Sequence, residues 1–144
     1  MADEGKGRQV LTIEANLDNL ADVYAFLNNK LDQADVVPSA RHHIDLAVEE
    51  IYTNIVKYAY PEEPGKATVI WHLQEPEGML VLEFRDNGPA YNPWEKEDPD
   101  VTATVEDRAV GGLGVFMVKK MMDGVDYRYE NGENVVMLMK NIRV

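Results

Sequence analysis

Three short stretches of this chain carry side chains whose types and spacing could do chemistry. In Glu50-Ile-Tyr-Thr-Asn54 a carboxylate and a carboxamide stand four residues apart, which on a helix puts both on one face, roughly 6 Å apart at Cβ. The carboxylate can take a proton from a hydroxyl or a water. The amide oxygen can bind a hard cation, and magnesium needs only one or two protein oxygens when phosphates supply the rest. Lys57 and Tyr58 extend the same stripe. In Asp86-Asn87-Gly88-Pro89-Ala90 an acid enters a tight turn, where it can accept a hydrogen bond from the exocyclic amine of a base while Gly88 lets the backbone approach a ring. In Gly111-Gly112-Leu113-Gly114, glycines crowd the start of an apolar segment, so that backbone amides and a helix dipole can face phosphates.

Taken singly, each stretch has an ordinary reading. An E-x-x-x-N pair is common on solvated helix faces, Asp-Asn-Gly is a plain turn, and glycines can simply open a packed helix. The chain contains no G-x-x-x-x-G-K-[ST] loop, and the strand–glycine–helix with a ribose-binding acid of a dinucleotide fold is also absent. Order and placement carry more than any one motif. The three fall on a helix, a strand end and a loop-to-helix junction, as one magnesium–nucleotide site requires.

The elements that must position them follow from periodicity. Residues 9–15 read as a strand, and Leu17, Leu20, Val23, Tyr24, Leu27 and Leu31 repeat at helical spacing behind Asn16, a plausible N-cap. A second, long helix should start near Pro38-Ser39 and run through Ile44, Ala47, Val48, Ile51, Ile55 and Ala59 until Pro61 stops it. Segments 66–75 and 79–86 are β-rich and flank Pro76-Glu77-Gly78, which predicts a hairpin whose second strand delivers Asp86 into its turn. From 91 to 110 there is no apolar period, and Pro93 and Pro99 with several acids predict a long loop of the kind that serves as a lid. Gly114 to Met122 reads as a helix, and 125–130 with 133–140 flank Asn131-Gly132, a strong hairpin signal. The expected fold is α+β, a two-layer sandwich with helices on one face of a mixed, largely antiparallel sheet.

Length and composition agree with one domain over residues 1–144: 45% hydrophobic and 28% charged residues make an ordinary globular chain. A formal net charge of -12 repels nucleic-acid phosphates and anionic membrane surfaces, so neither is an expected partner. With no cysteine, no disulfide or thiolate site can form. The N-terminus lacks a signal-peptide core, and no apolar run is long enough to span a bilayer, so a cytoplasmic protein is expected. His42 and His43 are adjacent and cannot both face one metal from a regular helix, and His72 has no ligand pattern near it. Met117, Met121 and Met122 fit a packed helix, and Lys119 and Lys120 complement the dipole at its end and face solvent.

With these motifs in order, the chain resembles the GHKL ATPase superfamily and, within it, the small anti-sigma-factor serine kinases of bacterial partner-switching systems, the RsbW type. The resemblance runs nearly the whole length, with Glu50-x-x-x-Asn54 as the N-box and Asp86-x-Gly88-x-Ala90 and Gly112-x-Gly114 as the glycine boxes. It implies the Bergerat-type ATPase fold with ATP and Mg2+ as cofactors. Glu50 would then be the catalytic base, Asn54 the magnesium ligand and Asp86 the adenine acceptor. Further nucleotide contacts would come from Lys57, Tyr58, Gly88, Ala90, Arg108, Gly111, Gly112, Leu113, Gly114 and Val115. It implies a substrate too, an anti-anti-sigma protein of the STAS type that competes with a sigma factor, and a homodimer formed through the first strand and helix. A non-catalytic adaptor that binds partners in a nucleotide-dependent way is the alternative within the same family. Two departures stand out. Ala90 replaces a frequent glycine, and the last strand reads Val136-Met137-Leu138 where many relatives carry a hydroxyl residue beside the adenine. Histidine-kinase catalytic domains share the boxes but usually carry histidine or asparagine at the position of Glu50.

Overall fold

The computed structural model describes residues 8–95 and 112–144, and the side chains of all of these except 112 and 113. Five strands, β1 (Arg8–Glu14), β2 (Lys66–Gln74), β3 (Met79–Asp86), β4 (Gly124–Glu130) and β5 (Glu133–Asn141), form one sheet in the order β1-β2-β3-β5-β4. Every pairing is antiparallel. Three α-helices are described, α1 (Leu20–Gln33), α2 (Pro38–Tyr58) and α3 (Gly112–Met121), and α2 packs on both α1 and α3. This is the expected α+β arrangement.

Helix α2 is the beam of the structure. Pro38 opens it at a position where a backbone N–H would find no partner anyway. Ala40, Ile44, Ala47, Val48, Ile51, Tyr52 and Ile55 then recur every three or four residues, and all are buried. They meet the alternate residues Ala67, Val69 and Trp71 of β2, Leu80, Leu82 and Phe84 of β3, and Val136 and Leu138 of β5 in one core. Because successive strand residues point to opposite faces, Asp86, two places beyond the fully buried Phe84, is turned toward the helix layer. Asn134, two before Val136 on β5, faces the same way and lies directly across the ladder from Asp86. The core thus imposes a carboxylate and an amide side by side beneath α2.

Element ends differ slightly from the sequence expectation. Asn16 caps a 3-10 turn, Leu17–Asn19, by accepting the Asn19 N–H at 2.9 Å, and the α-helical geometry starts only at Leu20. Helix α3 begins at Gly112 rather than Gly114, so both glycines belong to its first turn. Asn131 and Gly132 both take positive φ, 54° and 78°, the geometry that lets a two-residue hairpin follow the strand twist. Lys140 Nζ donates to the carbonyl of Met121 at 2.7 Å and supplies the cation at the end of α3. Lys119 instead donates to the carbonyl of Trp94 at 3.3 Å, tying α3 to the turn Pro93–Glu95, so it does not simply face solvent.

Candidate functional site

Among the described residues three polar side chains are buried, Asn54 (9% exposed), Asp86 (5%) and Asn134 (3%). All three line a single pocket whose remaining wall is mostly apolar: Ile51, Ile55 and Ala59 from α2, Pro89 and Pro93 from the loop after β3, and Val136 from β5. Burying an amide or carboxylate without a purpose is costly. An apolar slot with a few convergent polar groups is the usual form of a small-molecule site.

Asp86 uses its two oxygens differently. Oδ1 accepts the N–H of Gly88 at 2.9 Å and the Nδ2 of Asn134 at 2.9 Å, while Oδ2 accepts no hydrogen bond among the described residues and is open to a bound group. Burial pushes the Asp86 carboxyl above its ordinary value, the two hydrogen bonds pull it back, and the charge of Glu133 pushes it up further. Asn134 is the hub of the region. Its Nδ2 also donates to the carbonyls of Gly88 (3.3 Å) and Pro89 (2.9 Å), and its Oδ1 accepts from the Tyr91 N–H (3.0 Å) and from the Tyr127 hydroxyl. One buried side chain therefore holds both the carboxylate and the loop that follows it. Val136-Met137-Leu138 lacks the hydroxyl that many relatives carry, and the sequence alone does not single out this amide two residues earlier. The pairing of β5 with β3 brings Asn134 opposite Asp86, and no local signal in the sequence marks that pairing.

Asn54 lies on the buried side of α2, and its Nδ2 has no hydrogen-bond partner among the described residues. A buried carboxamide left unsatisfied is rare, and a half-turn of the amide presents Oδ1 at the same place, the type of ligand a hard cation takes. Glu50, one turn earlier, sits at the first turn of α3, where a Cβ built on Gly114 would overlap its carboxylate. Gly114 thus leaves the room that the Glu50 side chain fills. Gly88 has a similar duty on the other side: a Cβ there would come within 2.6 Å of the Ala59 Cα, so its bare Cα seats the loop on the end of α2.

At the pocket mouth Tyr58 and Tyr91 pack on each other, ring centroids 5.8 Å apart and tilted by 43°. The space inside the pocket is about 30 Å³, room for water. Of the residues singled out by sequence, Asn54, Tyr58 and Asp86 line the pocket. Glu50 and Gly114 meet beside it. Lys57 and Ala90 are exposed, and Val115 is buried. The backbones of Gly112 and Leu113 lie in the first turn of α3. Arg108, Gly111 and most of the expected lid lie outside the described residues. Tyr91, like Asn134, was not anticipated.

Known proteins resemble most of this chain. It is similar to serine-protein kinase RsbW of Listeria innocua, 34% identical over 99 residues, covering 65% of this chain and 62% of that protein. The proteins of the same name from Bacillus mycoides (32% over 96 residues, 64% of this chain and 59% of that protein) and Listeria monocytogenes (34% over 99 residues, 65% and 62%) match comparably. The chain therefore spans about three fifths of the length of these relatives. A model of the histidine kinase-like ATPase domain matches residues 13–140. With that match and this fold, the chain belongs to the histidine kinase-like ATPase domain family, whose members are built to bind ATP.

Proposed function

We propose that this chain is an ATP-dependent serine/threonine-protein kinase and anti-sigma regulatory factor, acting in the cytoplasm on a STAS-type anti-anti-sigma protein that competes with a sigma factor for it. The observation that carries the reading is the convergence of the buried polar residues Asn54, Asp86 and Asn134 on one apolar pocket, with Glu50 one helical turn from Asn54. The names of the similar kinases support it. Among the described residues no helix is long and apolar enough to cross a membrane.

In this reading the free oxygen of Asp86 accepts the exocyclic amine of adenine, and the apolar walls of the pocket take the ring. The first turn of α3, with its bare glycines, faces the phosphates with backbone N–H groups. Magnesium, held through the side-chain oxygen of Asn54 and completed by phosphate oxygens, would neutralise charge as it builds during transfer. Glu50 accepts the proton of the acceptor hydroxyl as its oxygen bonds to the γ-phosphorus and the bond to the bridging oxygen of ADP breaks. Because phosphoryl transfer depends mainly on positioning and charge neutralisation, the base contributes roughly 10²–10⁴-fold. A homodimer through β1 and α1 completes the proposal.

The test is Glu50→Gln, assayed with labelled ATP against a panel of purified STAS proteins. The expected result is label on a serine or threonine of one STAS protein with the native chain, a loss of roughly 10²–10⁴-fold in the variant, and unchanged ATP binding. ATP binding without label on any STAS protein, in native and variant alike, contradicts the kinase reading.

A further inference from the structure

Beside Glu50 a second concavity runs between α2 and α3, lined by Leu46, Glu50, Gly114, Met117, Val118 and Met121. Its volume is about 270 Å³ and its lining is mostly apolar. Val118 forms a buried floor, while Leu46 and Met117 stand 40% and 46% exposed on the walls, among the most exposed large apolar side chains of the described residues. Leu46 and Glu50 are one turn apart on α2, and Gly114, Met117, Val118 and Met121 form one stripe of α3. The groove is therefore continuous with the proposed catalytic position: the carboxylate that fills the space at Gly114 closes one end, and apolar side chains continue from it.

We infer that this groove recognises the segment of the protein substrate that carries the acceptor hydroxyl, by taking an apolar side chain of that segment between Leu46 and Met117. The inference rests on the kinase reading above and deepens it. Its occupant follows from the chemistry, since the acceptor oxygen must come within hydrogen-bond reach of Glu50. A chain that brings it there along the α2–α3 face passes over the groove that begins at that residue. One helical turn separates Leu46 from Glu50, roughly 6 Å at Cβ, and an extended chain advances about 3.3 Å per residue. The apolar anchor thus belongs about two positions from the phosphorylated serine or threonine. Methionine walls adapt to side chains of different shape, so the groove selects for apolar character rather than for one residue type. A carboxylate at the anchor position is disfavoured twice, by the apolar walls and by Glu50 at the end of the groove.

The experiment uses the full chain and the STAS protein that it phosphorylates in the assay above, with Leu46→Lys and Met117→Lys as kinase variants. In the acceptor protein, the apolar residue nearest two positions from the phosphorylated site is replaced by Asp. The expected result is a KM for the acceptor protein raised about tenfold or more in each kinase variant, with ATP affinity and acceptor-free ATP hydrolysis unchanged. The Asp substitution in the acceptor should give the same rise with the native kinase and be partly rescued by Met117→Lys. An unchanged KM, or an absence of rescue, overturns the inference while leaving the kinase reading intact. Parallel loss of ATP affinity or of acceptor-free hydrolysis in the lysine variants overturns it as well, because the groove then serves this chain's own nucleotide machinery. No label on any STAS protein with the native chain removes the kinase reading, and the inference falls with it.

Discussion

Asp86 is useful because its two oxygens face different partners, and that difference makes its substitution informative. In Asp86→Asn one side of the new amide must be an N–H donor. If it faces inward it meets the donors of Gly88 and Asn134, and if it faces the pocket it meets the exocyclic amine. Either orientation sets donor against donor, so ATP affinity is expected to fall by about 1–3 kcal/mol, roughly fivefold to 150-fold, in a calorimetric titration. The protonation of Asp86 supplies a second prediction. Its folded-state pKa is raised, mainly by burial, so the folded protein holds this proton more firmly than the unfolded chain. In the window between the ordinary carboxylate value and the raised one, rising pH therefore removes stability, while falling pH removes the acceptor. ATP affinity should fall on acidification before an exposed aspartate would titrate. Asn134→Ala, which removes a hydrogen bond that favours the ionised form, should move the fall to higher pH, and Asp86→Asn should abolish this step. A pH profile of ATP affinity in the three proteins checks it. Asn54 and Asp86 were legible in the sequence because each sits in a short motif with a chemical rationale. Asn134 and Tyr91 were not, because their roles arise from pairing across the sheet and from packing at the rim, and no local spacing encodes either.

Elements act here by holding residues where local preference would not. Gly114 lies in the first turn of α3, where alanine ordinarily stabilises a helix by up to about 1 kcal/mol relative to glycine. The Cβ of Gly114→Ala would overlap the Glu50 carboxylate, so the variant is expected to remain folded by circular dichroism while the proposed phosphoryl transfer falls at least about tenfold through displacement of the proposed base. Activity equal to the native level would show that Glu50 works from another position. Helix α2 is braced at its middle by Tyr52, fully buried, whose hydroxyl donates to the Asn16 carbonyl at 2.7 Å and accepts the Asn16 N–H at 3.2 Å. Tyr52→Phe leaves those backbone groups without their partner and should lower stability by about 1–2 kcal/mol, read as a fall of a few degrees in Tm. Periodicity revealed α2 almost to the residue, since its apolar stripe is long and Pro38 and Pro61 punctuate it. The start of α3 was placed two residues late because glycine is a poor helix former. The tertiary packing of α3 against α2 overrides that preference.

Across the whole molecule, the helices cover one face of a five-stranded sheet whose order is β1-β2-β3-β5-β4. The two hairpins were legible from Pro76-Glu77-Gly78 and Asn131-Gly132. The pairing of β3 with β5 across more than forty residues of sequence had no local signal, although it assembles the pocket. The net charge of -12 sets a long-range field that opposes a free nucleotide. The association rate of magnesium-free ATP is therefore expected to rise as salt is raised from about 0.01 M to about 0.15 M, where the Debye length falls from about 30 Å to about 8 Å. Stopped-flow fluorescence checks this, and a falling rate would mean that local cations dominate the approach. Whether Asn54 and Asp86 belong to one magnesium–ATP site is decided by calorimetric titration of the native chain with ATP, with and without magnesium, repeated on Asn54→Ala and Asp86→Asn. Binding that requires magnesium in the native chain, loses its magnesium dependence in Asn54→Ala and weakens in Asp86→Asn is the predicted result. No binding by the native chain, or binding that neither substitution changes, would mean that the two residues share no such site.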